Sequence, residues 1–122
     1  MKPVISHYKP DTEFYLDERC YIIESWNDQR DPLVSIAKAR VEKGITTCLH
    51  MLEGINERYI ILSGSGLTYI GENEPEKVTA GCIVIIPPGV PQKIMNTGEE
   101  DLVFYCICTP RFQQKFYNRL DK

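Results

Sequence analysis

Gly44-Ile45-Thr46-Thr47-Cys48-Leu49-His50-Met51-Leu52-Glu53-Gly54-Ile55-Asn56-Glu57, running on through Arg58 and Ser63 to Gly64, is the stretch that decides the fold of this 122-residue chain. A second glycine-bounded stretch follows: Gly81-Cys82-Ile83-Val84-Ile85-Ile86-Pro87-Pro88-Gly89-Val90-Pro91-Gln92-Lys93-Ile94-Met95-Asn96. Each couples short β-prone runs to a turn. In the second, Pro87-Pro88-Gly89 sets a tight turn, with proline at its start and glycine where a left-handed residue is needed. In a strand, residues two apart point the same way, so Cys48, His50 and Leu52 share one surface, and Gln92, Ile94 and Asn96 share another.

Working outward, the same rhythm fills the chain. β-rich runs are predicted over Arg19–Trp26, Leu33–Val41, Thr46–Leu52, Arg58–Leu62, Leu67–Gly71, Ile83–Ile86, Gln92–Asn96 and Leu102–Thr109, with Gly, Pro, Asn, Asp and Ser clustered between them. That is the pattern of an all-β sandwich or barrel. Ser35–Val41 alternates, with Lys38 and Arg40 on a wet face. Cys82–Ile86 and Leu102–Cys108 are apolar almost throughout, which suits strands covered on both faces, one side by the barrel and the other by a second subunit or a covering segment. A homodimer is the economical expectation. In the tail, Thr109 as N-cap and Pro110 at the first position predict a short helix carrying Phe112, Phe116 and Leu120 on one face. That stripe either seals a barrel end or the dimer edge, or forms a lid over the interior.

Composition narrows the function classes. The length fits one domain, residues 1–122. A net charge of −3 argues against non-specific binding to nucleic acid or an anionic membrane. The start, MKPVISHYKP, lacks a signal-peptide apolar stretch, and no run reaches membrane-spanning length, so the expected location is cytoplasmic. The five cysteines (Cys20, Cys48, Cys82, Cys106, Cys108) form an odd set with no CxxC pair, which points to reduced thiols rather than to a disulfide framework.

Together the two stretches resemble the paired motifs of the cupin superfamily, G-x5-H-x-H-x4-E-x6-G and G-x5-P-x-G-x2-H-x3-N, and the resemblance spans about residues 33 to 109. Every spacing is kept. Two side chains are not: Leu52 stands where the first motif has its second His, and Gln92 where the second motif has its His. The resemblance implies an all-β, cupin-type antiparallel β-barrel (a double-stranded β-helix, or jelly roll) with a short C-terminal helix or tail, and a homodimer. It further implies that His50, Glu57 and Gln92 converge inside the barrel and hold a divalent transition metal: Zn, Fe, Ni, Mn or Cu. Leu52 offers no ligand, and Gln92 offers only a neutral amide oxygen.

Other readings of the same residues stand beside this one. His50 without metal is an inward histidine bonded to Glu57 or Gln92. Glu57 inside a barrel is costly to desolvate alone and requires a partner, whether metal, His50, Arg58 or ligand. Gln92, Tyr59 and Arg111 are candidate substrate-binding groups, Tyr59 by its hydroxyl and Arg111 as a carboxylate clamp at the barrel mouth. Cys48 is a candidate sulfur ligand two residues before His50, and His7 a surface histidine. Three functions follow: a metal-dependent enzyme of isomerase, lyase or dioxygenase type acting on a small polar metabolite, with His50 and Glu57 catalytic; a metal-free binding module or sensor; and a metal-free enzyme using His50 and Glu57 as an acid/base pair.

Overall fold

Alternation with a period of two sorts side chains into an inside and an outside. In the computed structural model, which describes residues 1–121, it builds two facing antiparallel sheets. The strands are β1 (Phe14–Leu16), β2 (Cys20–Trp26), β3 (Ser35–Val41), β4 (His50–Leu52), β5 (Asn56–Ser63), β6 (Ser65–Ile70), β7 (Glu76–Thr79), β8 (Ile83–Ile86), β9 (Gln92–Asn96), β10 (Leu102–Thr109) and β11 (Tyr117–Arg119). One sheet has the order β1-β2-β3-β10-β5-β8 and the other β11-β4-β9-β6-β7. The expected all-β cupin-type jelly roll is what the chain forms.

The inner faces of the sheets make the core. Val41, Ile61, Ile86, Ile94 and Leu102 are almost wholly enclosed, alongside Tyr59 and Phe104, whose rings lie 4.5 Å apart. Each enclosed aliphatic side chain contributes about 2 kcal/mol of burial free energy. A smaller cluster at the other end joins Leu52, Ile55 and Cys108 to Phe112, Phe116 and Tyr117. The interior between the clusters is where polar groups enter.

Two departures from the predicted elements have physical causes. Thr46–Leu52 is not one strand: only His50–Leu52 pairs, while Thr46 makes an isolated bridge to Met95. The backbone donors before His50 are taken elsewhere, Thr47 by the Ile94 carbonyl (2.9 Å), Cys48 by the Glu18 carbonyl (3.1 Å) and Leu49 by the Asp121 carboxylate (2.9 Å). The tail forms no α-helix. After a single 3-10 turn (Gln114–Phe116), Tyr117–Arg119 adds to the free edge of β4, because that edge offers cross-strand bonds that a short isolated helix cannot match. Phe112 and Phe116 still cover the smaller cluster. Ile83–Ile86 forms the predicted strand, β8, and within one chain Ile83 and Ile85 point outward from it at 55% and 67% exposure, while Val84 and Ile86 face in.

Gly64 turns the chain from β5 in one sheet to β6 in the other. Its φ is +87°, and a Cβ placed there would lie 2.6 Å from the Asp101 carbonyl oxygen. Gly44 also has positive φ, +75°, but a Cβ there meets nothing within 4 Å. Gly64→Ala should therefore cost about 2–4 kcal/mol and Gly44→Ala only about 1 kcal/mol. Urea unfolding of the two variants measures the difference, and equal costs would mean that the sheet-to-sheet corner yields freely.

Candidate active site

Each sheet delivers one titratable group to the interior. His50 opens β4 and pairs across to Gln92 on β9. Glu57 lies on β5, opposite Cys108 on β10 and Ile86 on β8. The two side chains line one cavity of about 720 Å³, a size suited to a small-molecule ligand. Ala37, Cys106 and Cys108 form part of its wall, and the rings of Phe14, Tyr15, Phe112 and Tyr117 also line it.

A third titratable group, which the motifs do not mark, comes from the turn between β1 and β2. Asp17-Glu18-Arg19 closes that hairpin, with Arg19 at φ +71° where such a three-residue turn needs a left-handed residue. The turn is held down on the segment before β4: the Cys48 N–H donates to the Glu18 carbonyl at 3.1 Å, and the Cys48 thiol to the Asp17 carbonyl at 3.5 Å. So placed, Glu18 Oε1 stands 2.7 Å from His50 Nδ1. Nδ1 also lies 2.9 Å from the Cys48 carbonyl oxygen. A carbonyl only accepts, so Nδ1 carries the proton, and the neutral ring is basic at Nε2. The Tyr117 ring stacks on the imidazole at 5.0 Å and 19°.

The electrostatics follow from these contacts. For His50, burial is the largest influence and opposes the charged form. The Glu18 carboxylate, the Cys48 carbonyl and the charge of Glu57 together outweigh it, so the imidazole pKa moves up. Burial drives Glu57 up to about 7, against the pull of His50 and of hydrogen bonding from Gln92 and Cys108, and with the push of Glu18. Burial, reinforced by Glu57, also raises Cys106 and Cys108 and keeps them as thiols. Three buried polar atoms have no aligned partner among the described residues: Glu18 Oε1, Glu57 Oε1 and Gln92 Nε2. Both carboxylates are instead approached at their other oxygen by a thiol, Glu18 by Cys20 and Glu57 by Cys108, each at 3.7 Å.

The Cupin domain model of the Cupin_2 family matches residues 39–108, more than half of the chain. The chain belongs to the cupin family. An uncharacterized protein of Methanocaldococcus jannaschii, MJ1618, is 37% identical over 81 residues, covering 66% of this chain and 64% of that relative. This match thus spans less than two thirds of the relative's length. Among solved structures, an uncharacterized conserved protein with a double-stranded β-helix domain from Klebsiella pneumoniae aligns with a TM-score of 0.70 at 19% identity, covering 83% of this chain and 85% of that one. Streptomyces Pac13, described as a nucleoside dehydratase, aligns in its uridine-bound form with a TM-score of 0.78 at 15% identity, over 97% of this chain and 92% of that one. At such identities the likeness is one of fold.

In this cupin, the four positions of the metal motif are brought together, but what they offer does not fit a resident divalent ion. Leu52 is packed into the smaller apolar cluster. Gln92 is fully enclosed, and its amide oxygen, a weak neutral ligand, already accepts the Tyr59 hydroxyl. No three His, Cys, Asp or Glu side chains among the described residues are grouped to hold a metal ion. Cys48 directs its sulfur at the Asp17 carbonyl, and burial raises its pKa. The remaining candidates lie apart from the cavity wall. Tyr59 sits behind it, bonded to Gln92. Arg111 donates to the Asn27 side chain at 2.9 Å. His7 lines a separate groove between the N-terminal segment and β2.

The raised pKa of Glu57 makes stability depend on pH with a definite sign. Because the folded value (about 7) exceeds the ordinary 4.5, the stabilisation of the neutral acid is complete below 4.5 and is lost as pH rises through about 7. His50, also raised, works in the same direction. Wild-type unfolding free energy should fall relative to Glu57→Gln between about pH 5 and pH 8, by about 3 kcal/mol at most. Parallel stability curves for the two proteins would show that Glu57 titrates as an ordinary carboxylate.

Proposed function

We propose that this cupin is a metal-free acid–base enzyme of lyase or isomerase type acting on a small polar molecule. The observation that carries the reading is the pairing, in one cavity, of a histidine whose Nδ1 is held by Glu18 and the Cys48 carbonyl, leaving Nε2 as its basic atom, with a buried carboxyl that burial pushes up to about 7. His50 Nε2 accepts a proton from substrate carbon. Glu18, beside Nδ1, stabilises the imidazolium so formed, as a carboxylate behind a histidine does in other general-base pairs. Glu57 Oε1 donates a proton to the departing or rearranging oxygen. A hydroxyl then leaves as water, or an enol is re-protonated at a neighbouring carbon. After water loss the imidazolium passes its proton back to the Glu57 carboxylate through solvent, and in an isomerisation His50 returns its proton to the neighbouring carbon while Glu57 recovers one from oxygen; the titrations of the two groups belong to the pair. No redox partner is needed.

The fold likeness to the nucleoside dehydratase is compatible with this chemistry and suggests nucleosides, uridine among them, for a substrate panel together with hydroxylated carbonyl compounds. Turnover in deuterated water, followed by NMR, reads out both proton exchange and water loss. Glu57→Gln and His50→Ala should each lower the rate by about 10²–10⁴-fold, and prior dialysis against a chelator should leave it unchanged. Activity that vanishes with chelation and returns with Zn, Fe, Ni, Mn or Cu would replace this reading with the metal-dependent one. Ligand binding without turnover would leave a binding module or sensor, which the substitutions at Leu52 and Gln92 also favour.

A homodimer belongs to the same reading. It is supported by the outward Ile83 and Ile85 on β8, which one chain leaves uncovered. Ile85→Lys should then shift the sedimentation coefficient from dimer to monomer, and an unchanged value would remove this face from the interface.

A further inference from the structure

We infer that the cavity selects an uncharged, hydroxyl-rich small molecule and turns away carboxylated or phosphorylated ones. The inference rests on the reading that His50 and Glu57 form the working end of the cavity, and it deepens that reading by naming the ligand class.

The first observation is the chemistry of an unpartnered atom. Glu57 Oε1 is buried, on a residue that lines the cavity, and has no hydrogen-bond partner among the described residues, whereas Glu18 Oε1 is already turned to His50 Nδ1 at 2.7 Å. A carboxylate oxygen can only accept, or donate a single proton when neutral, so what completes Glu57 must bring its own O–H or N–H donor. A hydroxyl does so and can accept in return. A carboxylate or phosphate cannot donate, and would set oxygen against oxygen.

The second observation is the charge of the walls. Acidic side chains recur from mouth to floor: Asp17, Glu24, Glu18 and Glu57. Among the described residues that line the cavity the only Lys or Arg is Arg119, and it is already paired with Asp121 at 3.0 Å. The imidazole of His50 is matched by Glu18 at 2.7 Å. No lining Lys or Arg is left unpaired for an anionic ligand, which would be buried without a counter-charge and lose about tenfold or more in affinity. Arg111, the side chain that could have clamped a carboxylate, is bonded to Asn27 outside the wall.

A third observation separates an uncharged ligand from a cationic one. With Glu18 balanced by His50, the one deep carboxyl without a counter-charge is Glu57, and burial favours its neutral form. An ammonium group bound there would act against that preference, since it needs the ionised form of Glu57. The rings of Tyr15, Phe112 and Tyr117 offer flat apolar contact to the less polar flank of a sugar-like or nucleoside-like molecule.

The test uses the whole wild-type protein and matched probes: D-glucose with D-glucuronate and D-glucosamine, D-galactose with D-galacturonate and D-galactosamine, and D-ribose with D-ribose 5-phosphate. His50 and His7 are the chain's two histidines, so imidazole NMR signals report on the cavity and on an exposed control at once. The uncharged member of each set should shift His50 and leave His7 unmoved, with an affinity at least about tenfold above that of its anionic partner. Glu57→Gln should narrow that gap. An anionic or amine member binding as tightly as the uncharged one would overturn the inference while leaving His50 and Glu57 as the working end. A His50 signal that none of the probes moves would overturn both.

Discussion

A carboxylate on a hairpin turn, Glu18, reaches across the end of the barrel to within 2.7 Å of His50 Nδ1, and the polar half of the interior is organised around that contact. The imidazole is enclosed and would resist charging on its own. Pairing reverses that preference, and the Cys48 carbonyl fixes which nitrogen keeps the proton. The turn has little freedom to move away, since its backbone is bonded to Cys48 and its closing residue, Arg19, occupies a left-handed conformation that costs about 1 kcal/mol for a residue with a Cβ. Strain of that kind persists where surrounding contacts over-determine it, and here those contacts are the ones that aim Glu18.

Positions in the two glycine-bounded stretches divide by how fully their polar atoms are satisfied. Asn96, the last residue of the second, donates to the carbonyls of Val41 (2.9 Å) and Glu100 (2.8 Å) and accepts the Gly98 N–H (2.9 Å). Every polar atom it has is spent on the backbone, so it is a clamp on the turn before β10. Gln92, on the same strand face, is bonded at its oxygen and open at its nitrogen. Glu57 is open at Oε1. Leaving a buried polar atom unpaired costs about 1–3 kcal/mol. That such atoms gather at one end of the barrel, while Asn96 is saturated at the other, separates the part of the pattern that serves the fold from the part that serves a ligand.

The same division explains what the sequence disclosed. Glycine spacing, the Pro87-Pro88-Gly89 turn and period-two alternation are local signals, and they located the barrel, the inward row His50–Leu52 and the inward row Gln92–Asn96. Glu18 carried no such signal. Asp17-Glu18-Arg19 reads as a solvated turn, and its role arises only when that turn docks on Cys48, thirty residues on in sequence. The tail misled for a related reason. Phe112, Phe116 and Leu120 have helical spacing, but the segment follows the open edge of β4, and a tertiary edge outweighs local periodicity in so short a piece. The strands Phe14–Leu16 and Glu76–Thr79 were likewise invisible, since each is short and at the margin of its sheet.

Charge balance links the altered motif to the proposed chemistry. Two carboxylates, Glu18 and Glu57, project into an interior where an uncompensated charge is expensive. A divalent cation would neutralise both at once, but Leu52 is apolar and Gln92 offers only a neutral amide oxygen that already accepts the Tyr59 hydroxyl, a poor donor set for such an ion. What remains is protons. One resides on the imidazole, against Glu18, and the other is favoured on Glu57 by its own burial. Protons held this way near neutral pH are mobile, unlike a bound metal. With the Nδ1 proton held toward Glu18 and Nε2 left basic, the interior is arranged to take a proton at His50 and give one from Glu57.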